Sequence, residues 1–548
     1  YTCKCLSASI DADTGDILNI YMYKGYDPDK KTSPIPKYNE EEAKEIAKIF
    51  AKKLQPTEFA KTKLTDREEP FYPMSGSSYR DSYYFTFIRM ENDIPVEGNG
   101  INVGVDAHTG DIENYTFTWS WEPLPQAEKL IYMEDAEKVF KDEVGLKLVY
   151  QRYFDYRTRE ENIKLVYTLD GHRGILIDAI TGELVEGEYY DVYGRAAAQE
   201  SMKMNDSGFT PVETQEVEAT KNCISKEAAT NIVKKHLSIP EGFKQRSANL
   251  YEDYDNPDQK VWNIDWEKTD EDGEGGSIYA QVDAINSELL SFYFYDYSGY
   301  SKEFKQNYNK AAAQKKAEEF LKKFQPDRFE NVKLEEVKDE VPAPEKIRAH
   351  YFNYTRLVNS IPYTANGFNL TVDAQSGQIT RYHMRWHERN FSDTDGVLAK
   401  DDVESRFLKD VGLELVYASI YDRKEQTSNY KLVYKIKPSR SYTFDAFDFK
   451  PLDYSGKPIE EEIKTVFSDI KGHWAENDIQ LLVDLGIIKS AEDKFRPDEN
   501  ITEGDFIKLL MIAKNQRIAD DIPIPIIRLE SADLKSDEDV QKYIDAAL

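Results

Sequence analysis

A block of this chain occurs twice in constant register. Asp106-Ala107-His108-Thr109-Gly110 returns as Asp373-Ala374-Gln375-Ser376-Gly377, 267 residues on (106 to 373). Val144-Gly145-Leu146 returns as Val411-Gly412-Leu413, and Lys164-Leu165-Val166-Tyr167 as Lys431-Leu432-Val433-Tyr434, at that same interval. Pro56 matches Pro326, 270 residues on (56 to 326). Landmarks held in register over such a distance mean a duplicated block of about 150 residues, and a repeat constrains the fold before any local pattern does. Residues 38–190 and 305–455 are therefore expected to share one fold, with Asp106 over Asp373 and Tyr167 over Tyr434.

A shorter unit repeats inside the block. Asp-Ala-x-Thr/Ser-Gly stands at Asp11, Asp106, Asp178 and Asp373, with worn copies at Asp283 and Asp445. Alternating runs enter and leave each copy, such as Ile101-Asn102-Val103-Gly104-Val105 before Asp106 and Ile112-Glu113-Asn114-Tyr115-Thr116-Phe117 after it. Alternation on both sides of a short turn is the signature of a β-hairpin. The glycine accepts positive φ without steric cost, and the Asp carboxylate can take nearby backbone amides. Six small β-containing units are expected.

Helices precede several hairpins. In 38–54, Ala43, Ile46, Ala47, Phe50 and Leu54 recur at helical spacing, and the second copy keeps Ala313, Ala317, Phe320 and Phe324. Ala228, Ala229, Ile232, Val233, His236 and Leu237 form a similar face after Ser225, which suits an N-cap. Each unit is then a helix laid on an antiparallel sheet, and the fold class is α+β.

Composition bounds the rest. A chain of 548 residues is too long for one core. Its net charge of −30 opposes binding to nucleic acid or an anionic membrane surface. With 37 Tyr and 26 Phe, the units can fill real cores. Three cysteines, Cys3, Cys5 and Cys223, make no disulfide framework, which fits a cytosolic protein or a Gram-positive exported one. No apolar run is long enough to span a bilayer, and no signal peptide is present. The Asp11 unit lacks the helix that precedes Asp283, so the chain is expected to start inside a domain.

Several features weigh both ways. Asp11-x-Asp13-x-Gly15-Asp16 has the carboxylates of a calcium loop, but the other copies put His108, Ile180 or Gln375 where Asp13 stands, so a plain hairpin turn is expected. His383 and His387 lie four apart in an expected strand without a zinc-protease pattern, and read as packing or surface residues. Trp262 and Trp266, at even spacing in a strand, read as core rather than a ligand platform. No Gly-x-Ser-x-Gly, P-loop or dinucleotide fingerprint occurs, so no catalytic residue, metal or cofactor is assigned.

The hairpin unit resembles the PepSY-type domain, and the duplicated block, with Trp262, Trp266, Trp119 and Trp386 closing its sheets, resembles the YcdB/YcdC repeated domain of Bacillus-type bacteria. The resemblance divides the chain into the end of one unit at 1–24 and units at 38–124, 130–190, 222–300, 305–390 and 395–455. It implies an exported, non-catalytic protein of a kind thought to inhibit or chaperone proteases or cell-wall enzymes.

Residues 466–513 resemble an S-layer homology (SLH) unit through Phe467-Ser468-Asp469-Ile470-Lys471-Gly472-His473-Trp474-Ala475, Leu485-Gly486-Ile487-Ile488, Phe495-Arg496-Pro497 and Ile501-Thr502. Residues 514–548 resemble the opening of a second unit. The resemblance implies a small all-α region that binds secondary cell-wall polysaccharide, with Trp474, Thr502 and Glu503 at the ligand position. Where the family pattern reads Ile-Thr-Arg-Ala-Glu, this chain has Ile501-Thr502-Glu503-Gly504-Asp505. Thr502 and Asp505 keep a capping box. Glu503 replaces the Arg that would hold an anionic sugar, so this unit is expected to bind weakly. Trp474 is expected to pack in the helical core.

The sequence thus points to an extracellular, wall- or S-layer-associated interaction protein. Its alternatives are an inhibitor or chaperone of an exported protease, and an envelope hydrolase with an unrecognised carboxylate site.

Overall fold

The computed structural model describes residues 5–23, 36–65, 82–155, 160–169, 175–185, 223–253, 259–268, 275–296, 304–335, 347–422, 426–459 and 466–484, and, more sparsely, 487–509. Glu503 and the expected second SLH opening at 514–548 lie outside the described residues.

All six Asp turns close with the same hydrogen bonds. The Asp amide donates to the carbonyl five residues on, from Asp11 to Asp16 through Asp445 to Lys450, and the amide four residues on donates back to the Asp carbonyl. The Asp Oδ1 accepts the amides two and three residues on at Asp11, Asp106, Asp178, Asp283 and Asp373, and the one two residues on at Asp445. Gly110 and Gly377 take φ of 75° and 71° at the fourth turn residue, and the worn copies hold Ser287 and Phe449 there at 59° and 66°. The turn geometry therefore outlasts its glycine, at a left-handed cost of about 1 kcal/mol.

A second bond ties a helix to five of these turns. The residue ahead of each helix N-cap donates its amide to the Ala carbonyl that follows the Asp: Tyr38 to Ala107, Ile131 to Ala179, Ile224 to Ala284, Tyr308 to Ala374 and Leu398 to Ala446. All five alanines are fully buried, which explains why the position stays small.

The first half runs β1 (Cys5–Ile10), β2 (Ile17–Tyr23), α1 (Glu40–Leu54), α2 (Pro56–Phe59), β3 (Thr62–Leu64), β4 (Ser82–Glu91), β5 (Ile94–Asp106) and β6 (Ile112–Thr118). It continues through α3 (Met133–Val139), which tightens into a π turn at Phe140–Val144, to β7 (Leu146–Asp155), β8 (Glu160–Leu169) and β9 (Leu176–Asp178). The second half opens with α4 (Lys226–His236) and β10 (Lys244–Glu252), β11 (Lys260–Lys268), β12 (Gly276–Asp283) and β13 (Leu289–Asp296). It then repeats the first: α5 (Lys310–Phe324), α6 (Pro326–Phe329), β14 (Val332–Leu334), β15 (Ala349–Val358), β16 (Ile361–Asp373), β17 (Ile379–Arg385), α7 (Lys400–Asp410), β18 (Leu413–Asp422), β19 (Thr427–Ile436) and β20 (Thr443–Asp445).

Asn39 and Asn309 cap α1 and α5 through the Glu42 and Ala312 amides, each at 2.9 Å. Ser225 caps α4 through the Ala228 amide at 3.2 Å. Ala43, Ala47 and Ala51 on α1, and Ala313, Ala317 and Leu321 on α5, are fully buried. Small residues let each helix lie close on its sheet.

The two blocks do not close on themselves. One nine-stranded sheet runs β1-β2-β6-β5-β18-β19-β9, with β4 also on β5 and β3 on β4. The eleven-stranded sheet runs β10-β11-β12-β13-β17-β16-β7-β8-β20, with β15 also on β16 and β14 on β15. Each block thus gives its second long hairpin, β7–β8 or β18–β19, to the other block's sheet. The joints are parallel and equivalent, Val96 opposite Tyr417 and Tyr363 opposite Tyr150. The short strands return the exchange, β9 pairing with β19 and β20 with β8.

Gly100 and Gly367 mark where β5 and β16 bend toward these joints. Both have φ near 150°, and a Cβ would stand 2.2 Å from the Phe87 carbonyl oxygen or 2.0 Å from that of Tyr354. No side chain fits there.

One core serves both blocks. Phe140 stacks on its counterpart Phe407 with ring centroids 5.4 Å apart, and Tyr150, Leu165, Tyr363, Tyr417 and Leu432 surround them fully buried. The Tyr167 hydroxyl donates to the Leu398 carbonyl at 2.7 Å, and the Tyr434 hydroxyl to the Ile131 carbonyl at 2.8 Å. Asp106 and Asp373, and Tyr167 and Tyr434, occupy equivalent elements, as the repeat interval predicts. Trp266 is buried in the second core, and the Trp262 indole N–H donates to the Ile224 carbonyl at 3.0 Å.

The architecture is α+β with mostly antiparallel sheets. Among the described residues beyond 466, the helix with assigned bounds is α8 (Glu476–Asp484). No helix of the described residues is long and apolar enough to cross a membrane.

Candidate functional site

The C-terminal unit is a small core with a tied rim. Phe467, Ile470, Ile479 and Ile488 are buried together, with Ala475, Leu482, Phe495 and Leu509 packed against them. Asp469 joins its two ends, Oδ1 accepting the Phe495 amide at 2.9 Å and Oδ2 the Arg496 amide at 2.8 Å. These amides, Phe495 first, hold the Asp469 carboxyl below its ordinary value. Ser468 adds a backbone bond to the Asp493 carbonyl at 2.7 Å. The Phe-Ser-Asp-Ile phrase therefore builds structure rather than chemistry.

Trp474 does not pack in that core. It is 85% exposed, in the turn just ahead of α8. Ala475 takes the inward place beside Ile470 and Ile479, leaving no room for an indole. The Trp474 ring lies 5.4 Å from the His473 ring. His473 Nδ1 accepts the Ala475 amide at 3.2 Å, so in its neutral form Nε2 carries the proton and faces Asp498 Oδ1 at 3.3 Å. An aromatic face held open to water beside a fixed polar edge is an arrangement suited to stacking on a sugar ring.

Thr502 caps the next helical turn as its sequence predicts. Its Oγ1 accepts the Asp505 amide at 3.1 Å and donates to Asp505 Oδ2 at 2.5 Å. Ile501 and Phe506 are exposed on either side of this cap. The capping places the residue after Thr502 at a helix start, which is where Glu503 falls in sequence.

A second group of residues escaped the sequence reading. Arg356 lies 4.6 Å over the Trp386 ring and donates to the His387 carbonyl at 2.9 Å. Arg89 lies 4.8 Å over Trp119 and donates to the Ser120 carbonyl at 2.7 Å. The repeat of this pairing in both blocks marks it as a device that closes the sheet end. Beside the second pair, a cleft of about 520 Å³ is lined by Asn286, Glu288, Arg328, Trp386 and Arg389, among others. Its charges are neutralised in place, Arg328 by Glu288 and Arg389 by Glu161. Burial, reinforced by neighbouring arginines, holds His383 and His387 below the ordinary histidine value. Among the described residues, no three His, Cys, Asp or Glu side chains gather as a metal site. At the Asp11 turn, Oδ1 is already taken by the Asp13 and Thr14 amides.

The chain was compared with known proteins. The S-layer homology domain matches residues 466–507, which associates the chain with the cell surface or wall. No curated protein matches. Among solved structures, the Bacillus megaterium YpeB C-terminal domain is similar at 14% identity over 39% of this chain and 87% of that one. Its TM-score of 0.25 is too low to assign a fold. The YcdB, YcdC repeated domain matches residues 2–119 and 226–386, the two halves that the constant interval relates, and the chain belongs to that family.

Proposed function

We propose that this chain is a non-catalytic interaction protein of the Gram-positive envelope, held at the wall by an all-α SLH region and presenting its α+β units to an exported protein partner. The observation that carries the anchoring part is Trp474, an exposed indole in the turn of the matched unit. S-layer homology domains bind secondary cell-wall polysaccharide, and Trp474 would stack on a sugar ring while Thr502 fixes the helix start that carries residue 503. Glu503 opposes an anionic polymer at that place, so the unit by itself anchors weakly.

Co-sedimentation with purified sacculi at physiological salt tests this. Weak binding is expected. Glu503→Arg should strengthen it about tenfold, the equivalent of one charge-assisted pair of ~1.4 kcal/mol. Trp474→Ala should abolish what binding there is. Tight, saturable binding indifferent to both substitutions would overturn the placement of the sugar site. Incubation with casein, peptidoglycan and wall polysaccharide tests the non-catalytic part, and turnover above background would overturn it. Inhibition of a co-expressed extracellular protease would identify the partner class.

A further inference from the structure

The Asp11 unit is the one of the six whose turn meets no helix among the described residues. In the other five, the Ala after the Asp accepts a helix-leading amide and is fully buried. Ala12 is exposed, and no such bond reaches it. The strands tell the same story. In the second half, β12 is covered at its edge by β11 and over its face by α4, and Ile278 and Val282 are fully buried. Their counterparts on β1, Leu6 and Ile10, are 67% and 61% exposed. Every described residue of β1 is exposed, and β1 ends its sheet.

The face is nevertheless built to be covered. Leu6-Ser7-Ala8-Ser9-Ile10 repeats the apolar-Ala-apolar alternation of Ile278-Tyr279-Ala280-Gln281-Val282. The β1–β2 register, Leu6 opposite Met22 and Ala8 opposite Ile20, matches Ile278 opposite Phe294 and Ala280 opposite Phe292. β2 joins β6 at Asn19 opposite Thr116, as β13 joins β17 at Ser291 opposite His383. An open strand edge beside an apolar face is a template for an added strand.

We propose that this edge is a docking site for a partner segment of one architecture: an amphipathic helix followed by an antiparallel hairpin, as in α4–β10–β11. The helix-leading amide would bond the Ala12 carbonyl, and the second strand would pair with β1. Charge favours such a segment. The turn carries Asp11, Asp13 and Asp16, and in the covered unit Gln259, at the head of β11, donates to Asp283 Oδ2 at 2.8 Å with Lys260 next to it. A strand entering with an amide donor and a cation therefore complements the acidic end of β1. The inference rests on reading the units as presenting surfaces, and it is independent of the wall anchor, which the sacculus assay reads separately.

The probe is a synthetic peptide of residues 223–268, titrated onto the full chain. Saturable binding is expected, with hydrogen exchange slowed across 5–10. Leu6→Lys and Ile10→Lys should each weaken binding at least tenfold, and Tyr454→Lys, on a distant exposed residue, should not. A second arm joins a copy of 223–274 ahead of residue 3, which raises the effective concentration of the segment. The melting temperature should rise, and fall back when Leu6→Lys is added. No protection of 5–10 in either arm would overturn the proposal. Protection of 5–10 without peptide, growing with chain concentration, would also overturn it and assign the edge to a second copy of this chain.

Discussion

Phe407→Ala is expected to destabilise both halves of the molecule together, by about 3–5 kcal/mol, the usual loss for a fully buried aromatic. Phe407 belongs to α7 in the second block, yet it stacks on Phe140 and lies in the core that holds Tyr150 and Leu165 of the first. Removing the ring leaves a cavity against residues of both blocks. Denaturant unfolding should show the loss of stability, and hydrogen exchange should show β7–β8 and β18–β19 losing protection in parallel. Loosening confined to the second block would mean that the two blocks keep separate cores.

The second large effect is electrostatic. Lys435 on β19 reaches across the joint to Glu97 on β5, and both side chains are 7% exposed. Lys435→Met removes the cation beside a buried carboxylate and is expected to cost about 3–5 kcal/mol. The double variant Lys435→Met with Glu97→Leu should recover most of that, because a well-packed apolar pair of similar volume is often neutral or stabilising. Thermal melts of the two single variants and the double variant give the coupling directly. Additive losses would show that the pair does not interact across the joint. The repeat does not preserve this contact, since Thr168 stands where Lys435 does 267 residues on (168 to 435).

Much of this was legible in the chain itself. The Asp turns, the caps at Ser225 and Thr502 and the equivalence of the two blocks all rest on local chemistry, which a short phrase can specify. The exchange of hairpins was not legible. Alternation in Leu146–Asp155 says that a strand pairs, but the same apolar residues serve pairing within a block or across to the other. Because the blocks are near-copies, β7 finds an equivalent surface in either sheet, and the bends at Gly100 and Gly367 decide which it meets. Trp474 failed for a related reason. A burial preference averages over positions, and here the inward place was already filled by Ala475 and the aliphatic residues around it. The open face of β1 emerged only when its exposure was set against the buried counterpart on β12.

The exchange of hairpins within one chain is tested most directly by a disulfide across it. Thr168 on β8 and Thr443 on β20 come from different blocks, pair directly in the sheet, and hold their Oγ1 atoms 3.0 Å apart. Thr168→Cys with Thr443→Cys, in a chain whose Cys3, Cys5 and Cys223 are changed to Ser, should oxidise readily, since paired strand positions fall within disulfide reach. The predicted result is an intramolecular cross-link in monomeric protein that leaves the fold and its melting cooperativity intact. Failure to oxidise, or a cross-link found only between two chains, would contradict the interlocked architecture.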